Sequence, residues 1–137
     1  MNSYLKTSLF GFIVWLFATL FFVLFGEYVL YAPGSKGFLV SLTLLLLSTG
    51  ALLYFATRIY MLFDKTKHAP LKFGLVGTII GLTLDMFSIS NYKTVFPSLE
   101  PSQVISFTAW MSFAYALYLI IPIMMEMKTL KTNEIKI

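Results

Sequence analysis

Hydrophobic and polar positions along this chain fall into long blocks rather than short alternations. Stretches 9–26 ("LFGFIVWLFATLFFVLFG") and 38–56 ("FLVSLTLLLLSTGALLYFA") run for 18 and 19 residues without a charge. A helix needs about 20 apolar residues to cross a hydrocarbon core of about 30 Å. Backbone groups in lipid must be hydrogen-bonded internally, and no barrel-like alternation is present, so the pattern predicts membrane-spanning helices.

Four such spans are predicted, at 9–31, 38–63, 73–91 and 104–125. Break signals separate them: "APGSKG" (32–37), the charged "DKTKHAP" (64–70) and the proline-framed "FPSLEP" (96–101). The first run is too long for a signal-peptide core and is interpreted as a retained span. The predicted fold is all-α: one domain over 1–137, an integral membrane four-helix bundle of two helical hairpins. Residues 126–137 are expected to form a short basic cytoplasmic tail.

Composition supports this class and removes several kinds of chemistry. The chain is 58% hydrophobic and 12% charged, about half the charged content of a typical soluble domain. Because there is no cysteine and only one histidine, His68, we expect no metal site and no cofactor. The net charge of +4 comes from scattered residues, so no nucleic-acid partner is expected. The predicted partner is the lipid bilayer, with a homo-oligomer or a larger membrane partner left open.

Basic residues are divided unequally between the two sides of the predicted spans. Lys36 and Lys93 flank one side, whereas eight basic residues flank the other. Short cytoplasmic segments carry the excess of lysine and arginine. The prediction is therefore that both termini lie in the cytoplasm. The eight are Lys6, Arg58, Lys65, Lys67, Lys72, Lys128, Lys131 and Lys136.

The third span differs from the others because it contains an ionisable residue, Asp85, within "GLTLDMFSIS" (81–90). Its large apolar residues favour insertion by roughly 3 to 5 kcal/mol, and a central aspartate opposes insertion by about 2.5 to 3.5 kcal/mol. Inserted alone, this helix would be close to neutral. We therefore expect it to depend on its neighbours.

Spacing indicates how the neighbours help. Small and polar residues on the third span recur every three or four positions, so they share one helix face. Gly77 and Gly81 form the small-xxx-small pattern that lets helices approach closely. The face is predicted to lie in a helix–helix seam, away from lipid. Its members are Gly74, Gly77, Gly81, Asp85 and Ser88.

Several residues are candidate partners of Asp85. Ser112 and Tyr115 lie on a weakly polar stripe of the fourth span and are the preferred hydrogen-bond partners. Glu27, near the end of the first span, would form an acidic outward-facing pocket with Asp85, although an interfacial carboxylate is the simpler interpretation. The loop stiffened by Pro97 and Pro101 is expected to act as a lid over the outer end of the seam.

Three interpretations of Asp85 stay open at this point. It is a packing group that hydrogen-bonds a neighbouring helix, a protonatable or cation-binding site on a transport path, or a general acid or base. Buried ionisable residues in membranes are often functional, but a glycine seam favours packing. We therefore expect a non-enzymatic membrane protein, with a small oligomeric transporter or channel as the alternative. An intramembrane enzyme is the weakest, since no Ser/His pair, metal spacing or phosphate loop is present.

A set of short motifs resembles one known family. "GLTLDMF" (81–87), "VFPSLEP" (95–101), "FTAW" (107–110) and "YALYL" (115–119) are similar to the Leu-Asp, Val-Phe-Pro-x-Leu-x-Pro, Ala-Trp and Tyr-Ala-Leu elements of small bacterial four-helix membrane proteins. That family is described as a domain of unknown function. The resemblance implies a four-helix protein of the bacterial inner membrane and supplies no activity.

Overall fold

The structure, a computed structural model, describes the backbone of residues 3–136 and the side chains of residues 4–131. Four long helices and one short helix account for most of this part, and no strand occurs within it. Four of the helices are long and apolar enough to cross a membrane. The helices are α1 Ser3–Val29, α2 Lys36–Phe63, α3 Ala69–Ser90, α4 Tyr92–Val95 and α5 Pro101–Lys136.

The connections follow from local residue chemistry. Gly34 has a positive φ of 88°, a conformation that glycine adopts without steric penalty, and it forms the turn between α1 and α2. Pro70 lies in the first turn of α3 and Pro101 is the first residue of α5. Both positions suit proline, since the first helical residues have no intrahelical partner for their N–H groups.

The helices extend beyond the predicted spans. α1 begins at Ser3 instead of residue 9, and α5 continues to Lys136 instead of ending near residue 125. Over its described part, the segment predicted as a tail from residue 126 therefore continues α5. Apolar content defines the part of a helix that fits lipid, whereas polar residues at its ends can continue the same helix. The short helix α4 within the connection to α5 was not predicted.

Packing is uneven around the bundle. α3 packs closely against both α1 and α5, and α5 packs against α2, whereas α1 and α2 have few backbone contacts. The order around the bundle is therefore α1, α3, α5, α2. Large apolar side chains such as Leu24 and Leu47 are well exposed on its outside, as expected for a surface that faces lipid.

The two ends of the bundle differ in composition. The basic end contains the start of α1, the α2–α3 connection and the last part of α5. The proline end contains the α1–α2 turn and the connection 96–101. A buried apolar cluster lies towards each end. The proline-end cluster consists of Phe22, Leu30, Phe96, Leu99, Val104, Phe107, Trp110 and Ala114, and the basic-end cluster of Leu53, Tyr60, Ala69, Phe73 and Tyr118.

The glycine face of α3 lies in a helix–helix seam. A Cβ atom at Gly74 would lie 2.8 Å from the backbone oxygen of Tyr118 on α5. On the other side, a Cβ atom at Gly11 of α1 would lie 3.0 Å from the Cα atom of Gly77. The absence of side chains is therefore what allows α3 to approach both helices. Within one chain this face is already occupied.

Candidate intramembrane polar site

Asp85 is buried between three helices and is only 4% exposed. The indole Nε1 of Trp15, on α1, donates to Asp85 Oδ1 at 2.9 Å. The hydroxyl of Tyr115, on α5, donates to Asp85 Oδ2 at 2.5 Å. The two carboxyl oxygens of Asp85, on α3, thus accept hydrogen bonds from two different helices, α1 and α5. In an apolar surrounding these bonds satisfy polar groups that would otherwise destabilise the fold.

Gly81 makes the Tyr115 contact sterically feasible. A Cβ atom at Gly81 would overlap the hydroxyl of Tyr115, and it would lie 2.5 Å from Tyr115 Cε1. The tyrosine ring therefore lies directly against the backbone of α3, one turn before Asp85. Gly77 provides the same space for Tyr118, whose hydroxyl and ring lie against it. The glycines of the seam receive the tyrosines of α5.

A cavity of about 70 Å³ lies beside Asp85 in the middle of the bundle. All four long helices contribute to its wall, which is mostly apolar and aromatic. The proline-end cluster lies on one side, with the Phe22 and Trp110 ring centroids 4.6 Å apart. The basic-end cluster lies on the other, where Tyr60 and Phe73 stack at 4.9 Å. The wall includes Trp15, Ala18, Leu52, Asp85, Trp110 and Tyr118.

A second polar network lies at the basic end. Asp64 is 5% exposed and follows the last residue of α2. Its Oδ2 lies 2.9 Å from Lys72 Nζ and also accepts a hydrogen bond from the hydroxyl of Tyr60. Because Tyr60 donates to Asp64, the Thr7 hydroxyl, 2.5 Å from Tyr60, is the donor in that pair. The Thr66 backbone N–H and hydroxyl donate to Oδ1 at 3.0 and 2.6 Å.

These contacts determine the ionisation of Asp64. Burial alone would raise the pKa of this carboxyl group, but the hydrogen bonds from Thr66, Tyr60 and Lys72 outweigh burial. Together they hold the pKa of Asp64 well below its usual range. Asp64 is therefore a carboxylate that links the N-terminal part of α1, the end of α2 and the start of α3.

Glu126, on α5, contacts the first turn of the neighbouring helix α3. It is 6% exposed, and its Oε2 accepts a hydrogen bond from the backbone N–H of Leu71 at 3.2 Å. His68 Nδ1 lies 2.6 Å from Glu126 Oε1. The first N–H groups of a helix lack intrahelical partners and carry partial positive charge, so a carboxylate there is favourable.

The predicted partners of Asp85 have different outcomes. Tyr115 is one of the two side chains that bind Asp85 among residues 4–131. Ser88 is buried on the same face, without a bond to Asp85 in this part of the chain. Ser112 is exposed and donates to the backbone oxygen of Thr108 at 2.9 Å. Glu27 is exposed and lies outside the cavity wall.

The connection 96–101, called the proline loop, packs its apolar residues against the proline end of the bundle. Pro97 and Pro101 are exposed and do not line the cavity. Phe96 is buried to 1% exposure and Leu99 to 8%. The Gln103 amide, near the start of α5, donates to two backbone oxygens at the end of α1, at 3.0 and 3.1 Å. These bonds hold the end of the loop next to α1. The predicted lid function stays a prediction.

Comparisons with known proteins identify the family of this chain. Residues 30–129 match the model of a family of unknown function, DUF5367. The chain belongs to this family. It is also 36% identical over 96 residues to the uncharacterized protein YnzE of Bacillus subtilis strain 168, a match that covers 70% of this chain and 95% of the relative. No solved structure matches the chain.

The family segment includes Asp64, Asp85, Tyr115 and Glu126, while Trp15 lies before it. The donor role of Trp15 was not predicted, because α1 has the pattern of an uncharged apolar helix. The available signal was its indole N–H, because a buried tryptophan normally finds an acceptor. The burial of Asp64 and Glu126 was missed as well, since charged residues beside a span are usually solvated.

Proposed function

We propose that this protein is a non-enzymatic integral protein of the bacterial cytoplasmic membrane, in which Asp85 is the centre of a polar network that fixes three helices. The observation that carries the proposal is the pair of bonds from Trp15 and Tyr115 to the two oxygens of Asp85. Both donors are neutral, so the carboxyl group acts through hydrogen bonding and packing.

The proposed orientation places the basic end in the cytoplasm. Eight of the ten basic residues flank this side, and the positive-inside tendency applies to short segments of this kind. Both termini would then be cytoplasmic, with the α1–α2 turn and the proline loop outside. Cysteine labelling at Lys36 and at Lys128, exposed positions on opposite sides of the proposed topology, tests this. An impermeant reagent added to whole cells should label only Lys36→Cys.

The role of Asp85 is tested by comparing Asp85→Asn with Asp85→Leu. The amide oxygen of asparagine can accept from Trp15 while its NH2 group donates to the hydroxyl oxygen of Tyr115, so folding and assembly should survive with a loss below about 1 kcal/mol. Leucine leaves the donors of Trp15 and Tyr115 without acceptors, so a loss of roughly 2 kcal/mol or more is expected. Thr83→Leu, an exposed position of the same helix, is the matched control and should be neutral.

A second candidate function is a small oligomeric transporter or channel that uses Asp85 as a proton- or cation-linked site. The cavity beside Asp85 is the observation that favours it. Flux through proteoliposomes separates the two candidates. If Asp85→Asn folds normally and abolishes a proton- or cation-dependent flux, transport is supported. If the wild-type protein gives no flux above empty liposomes, the scaffold proposal is the one that stands.

A further inference from the structure

A pocket of about 390 Å³ lies at the basic end, where the end of α2, the α2–α3 connection and α5 meet. Its wall contains three exposed basic side chains, Arg58, Lys65 and Lys67. None of the three forms an ion pair with another residue of the described part, 4–131. Their donors are therefore available to an anion from outside the chain.

One carboxylate, Asp64, also lines this pocket, and its charge is already compensated. Asp64 is only 5% exposed, and Lys72 Nζ lies 2.9 Å from its Oδ2. The Thr66 backbone N–H and hydroxyl donate to its other oxygen. The accessible charge of the pocket wall is therefore positive, and an anionic group is the occupant that complements it.

The rest of the wall is largely apolar and continues onto the outside of α2. Met61 and Leu62 follow Arg58 by three and four positions, so these side chains share one helix face. Leu62 is 67% exposed. Ala69 and Pro70, both buried at the start of α3, also contribute. An occupant of this pocket therefore contacts both cations and apolar side chains, as an amphipathic molecule does.

Arg58 places the pocket at the boundary of the membrane. It is the first charged residue of α2 after the uncharged stretch 37–57, and α2 ends at Phe63, about 8 Å further along the helix axis. Long basic side chains near the end of a span reach the headgroup region. The phosphate groups of the lipids lie at this level, so they are the anions nearest to the pocket.

The volume of the pocket suits a headgroup. A single water needs roughly 10 to 15 Å³, so about 390 Å³ accommodates a group of many heavy atoms. Basic pockets between membrane-spanning helices are a known type of site for anionic lipid headgroups. A bare inorganic ion would leave most of this space, and the apolar part of the wall, unused.

We propose that this pocket binds an anionic phospholipid such as phosphatidylglycerol. The phosphate oxygens accept hydrogen bonds from Arg58 and Lys67, and the acyl chains extend from the pocket along Leu62. The proposal goes beyond the scaffold role, because it assigns a lipid class to a separate site at the basic end. It rests on the membrane location of the chain and does not involve Asp85.

Native mass spectrometry of the detergent-solubilised protein counts bound lipids directly. Phosphatidylglycerol is compared with phosphatidylethanolamine of the same acyl chains, whose headgroup adds an ammonium group that the basic wall repels. Since each lysine or arginine near an anionic lipid corresponds to about fivefold in affinity, the first phosphatidylglycerol should bind about twentyfold tighter or more. Glycerophosphoglycerol, the same headgroup without acyl chains, should give no adduct at the same concentration.

Two pocket variants and one control sharpen the test. Arg58→Gln combined with Lys67→Gln should weaken phosphatidylglycerol binding about twentyfold. Thr129→Trp, at a half-buried wall position on α5, should remove the preference by filling the pocket while every charge is kept. The control combines Lys128→Gln with Lys131→Gln. It removes the same charge from exposed sites at the same end, outside the pocket wall, and should leave the preference unchanged.

Several results would overturn the proposal. Equal affinity of the wild-type protein for the two lipids would show that the pocket does not recognise an anionic headgroup. Equal weakening by the pocket pair and the control pair would assign the effect to diffuse surface charge. An adduct of glycerophosphoglycerol as strong as that of the lipid would identify a soluble phosphate as the ligand.

The outcome is separable from the role of Asp85, which is measured by unfolding. If the Arg58 and Lys67 double variant lost its helical circular dichroism signal, Lys67→Gln alone would be compared with Lys128→Gln. The comparison of the two lipids on the wild-type protein would decide independently of any variant.

Discussion

Asp85 and Asp64 are buried to nearly the same extent, at 4% and 5% exposure, yet their surroundings differ in kind. Asp85 is bound by an indole and a phenol, whereas Asp64 has an ammonium group, Lys72, at 2.9 Å. A buried carboxylate is stable when a cation and further donors compensate its desolvation. The basic end therefore holds a charge pair near the membrane surface, and the middle of the bundle holds a hydrogen-bond centre.

The two carboxyl groups should therefore tolerate different substitutions. Removal of charge with preservation of shape should matter at Asp64 and matter little at Asp85. Removal of hydrogen-bonding capacity should matter at both.

Asp64→Ala is expected to have the largest effect. It removes the anion that faces the partly buried Lys72 and releases the donors of Tyr60 and Thr66, so we expect a loss of about 3 kcal/mol in the free energy of unfolding. Chemical unfolding in detergent micelles, followed by circular dichroism, measures this loss. Lys65→Ala, at an exposed neighbouring position, is the control. A loss for Asp64→Ala no greater than that of the control would contradict the role of the buried pair.

Gly81→Ala tests the central site from the side of its backbone. The new methyl group would overlap the ring and hydroxyl of Tyr115 and displace the donor from Asp85. Overpacking of this kind destabilises by roughly 1 to 3 kcal/mol. The control is Gly50→Ala, where a Cβ atom would lie 3.8 Å from the nearest side-chain atom, on Ile121. Equal unfolding free energies for the two variants would show that the Tyr115 contact is loose.

Acidification tests the charge pair without a mutation. Because the pKa of Asp64 is lowered in the folded protein, its contribution is present above the unfolded pKa of about 3.9. It is lost as the pH falls from there towards the lower folded value. The thermal unfolding temperature of the wild type should therefore decline more steeply below about pH 4 than that of Asp64→Asn. Parallel pH profiles of the two proteins would count against this assignment.

Glu126→Gln is expected to have the smallest effect. Glutamine keeps one acceptor oxygen for the start of α3 but removes the negative charge from the helix N-terminus, which corresponds to about 0.5 kcal/mol. Glu100→Gln, at an exposed glutamate, serves as the comparison. The loss in the free energy of unfolding should be small and should decrease with added salt. A loss of several kcal/mol would mean that the contact with His68 dominates.

The architecture was largely predictable because apolar length is a direct consequence of bilayer thickness. Four spans and the glycine seam followed from spacing along the chain, and Tyr115 was correctly placed opposite Asp85. Helix ends were harder to predict, since residues such as Thr7 continue a helix without adding to its apolar pattern. Thr7 packs into the bundle because Tyr60, more than fifty residues away, offers an acceptor for its hydroxyl group.

The polar site itself was only half predictable. Asp85 is conspicuous because it interrupts an apolar span, but Trp15 belongs to that apolar pattern and reveals its donor only when α1 packs on α3. Glu27 and Ser112 had suitable chemistry and the wrong helix face, which spacing within one helix cannot exclude. Asp64 and Glu126 resemble ordinary interfacial charges in sequence, and only tertiary packing buries them.

A double-mutant cycle between Asp85→Leu and Tyr115→Phe measures the hydrogen bond at the centre of the bundle. We expect a coupling of about 1 kcal/mol or more in the free energy of unfolding, since the two side chains share one hydrogen bond. The same cycle with Tyr54→Phe, on the exposed face of α2, should be additive within about 0.5 kcal/mol. Additive losses in both cycles would contradict the claim that Asp85 holds the bundle together through its hydrogen bonds.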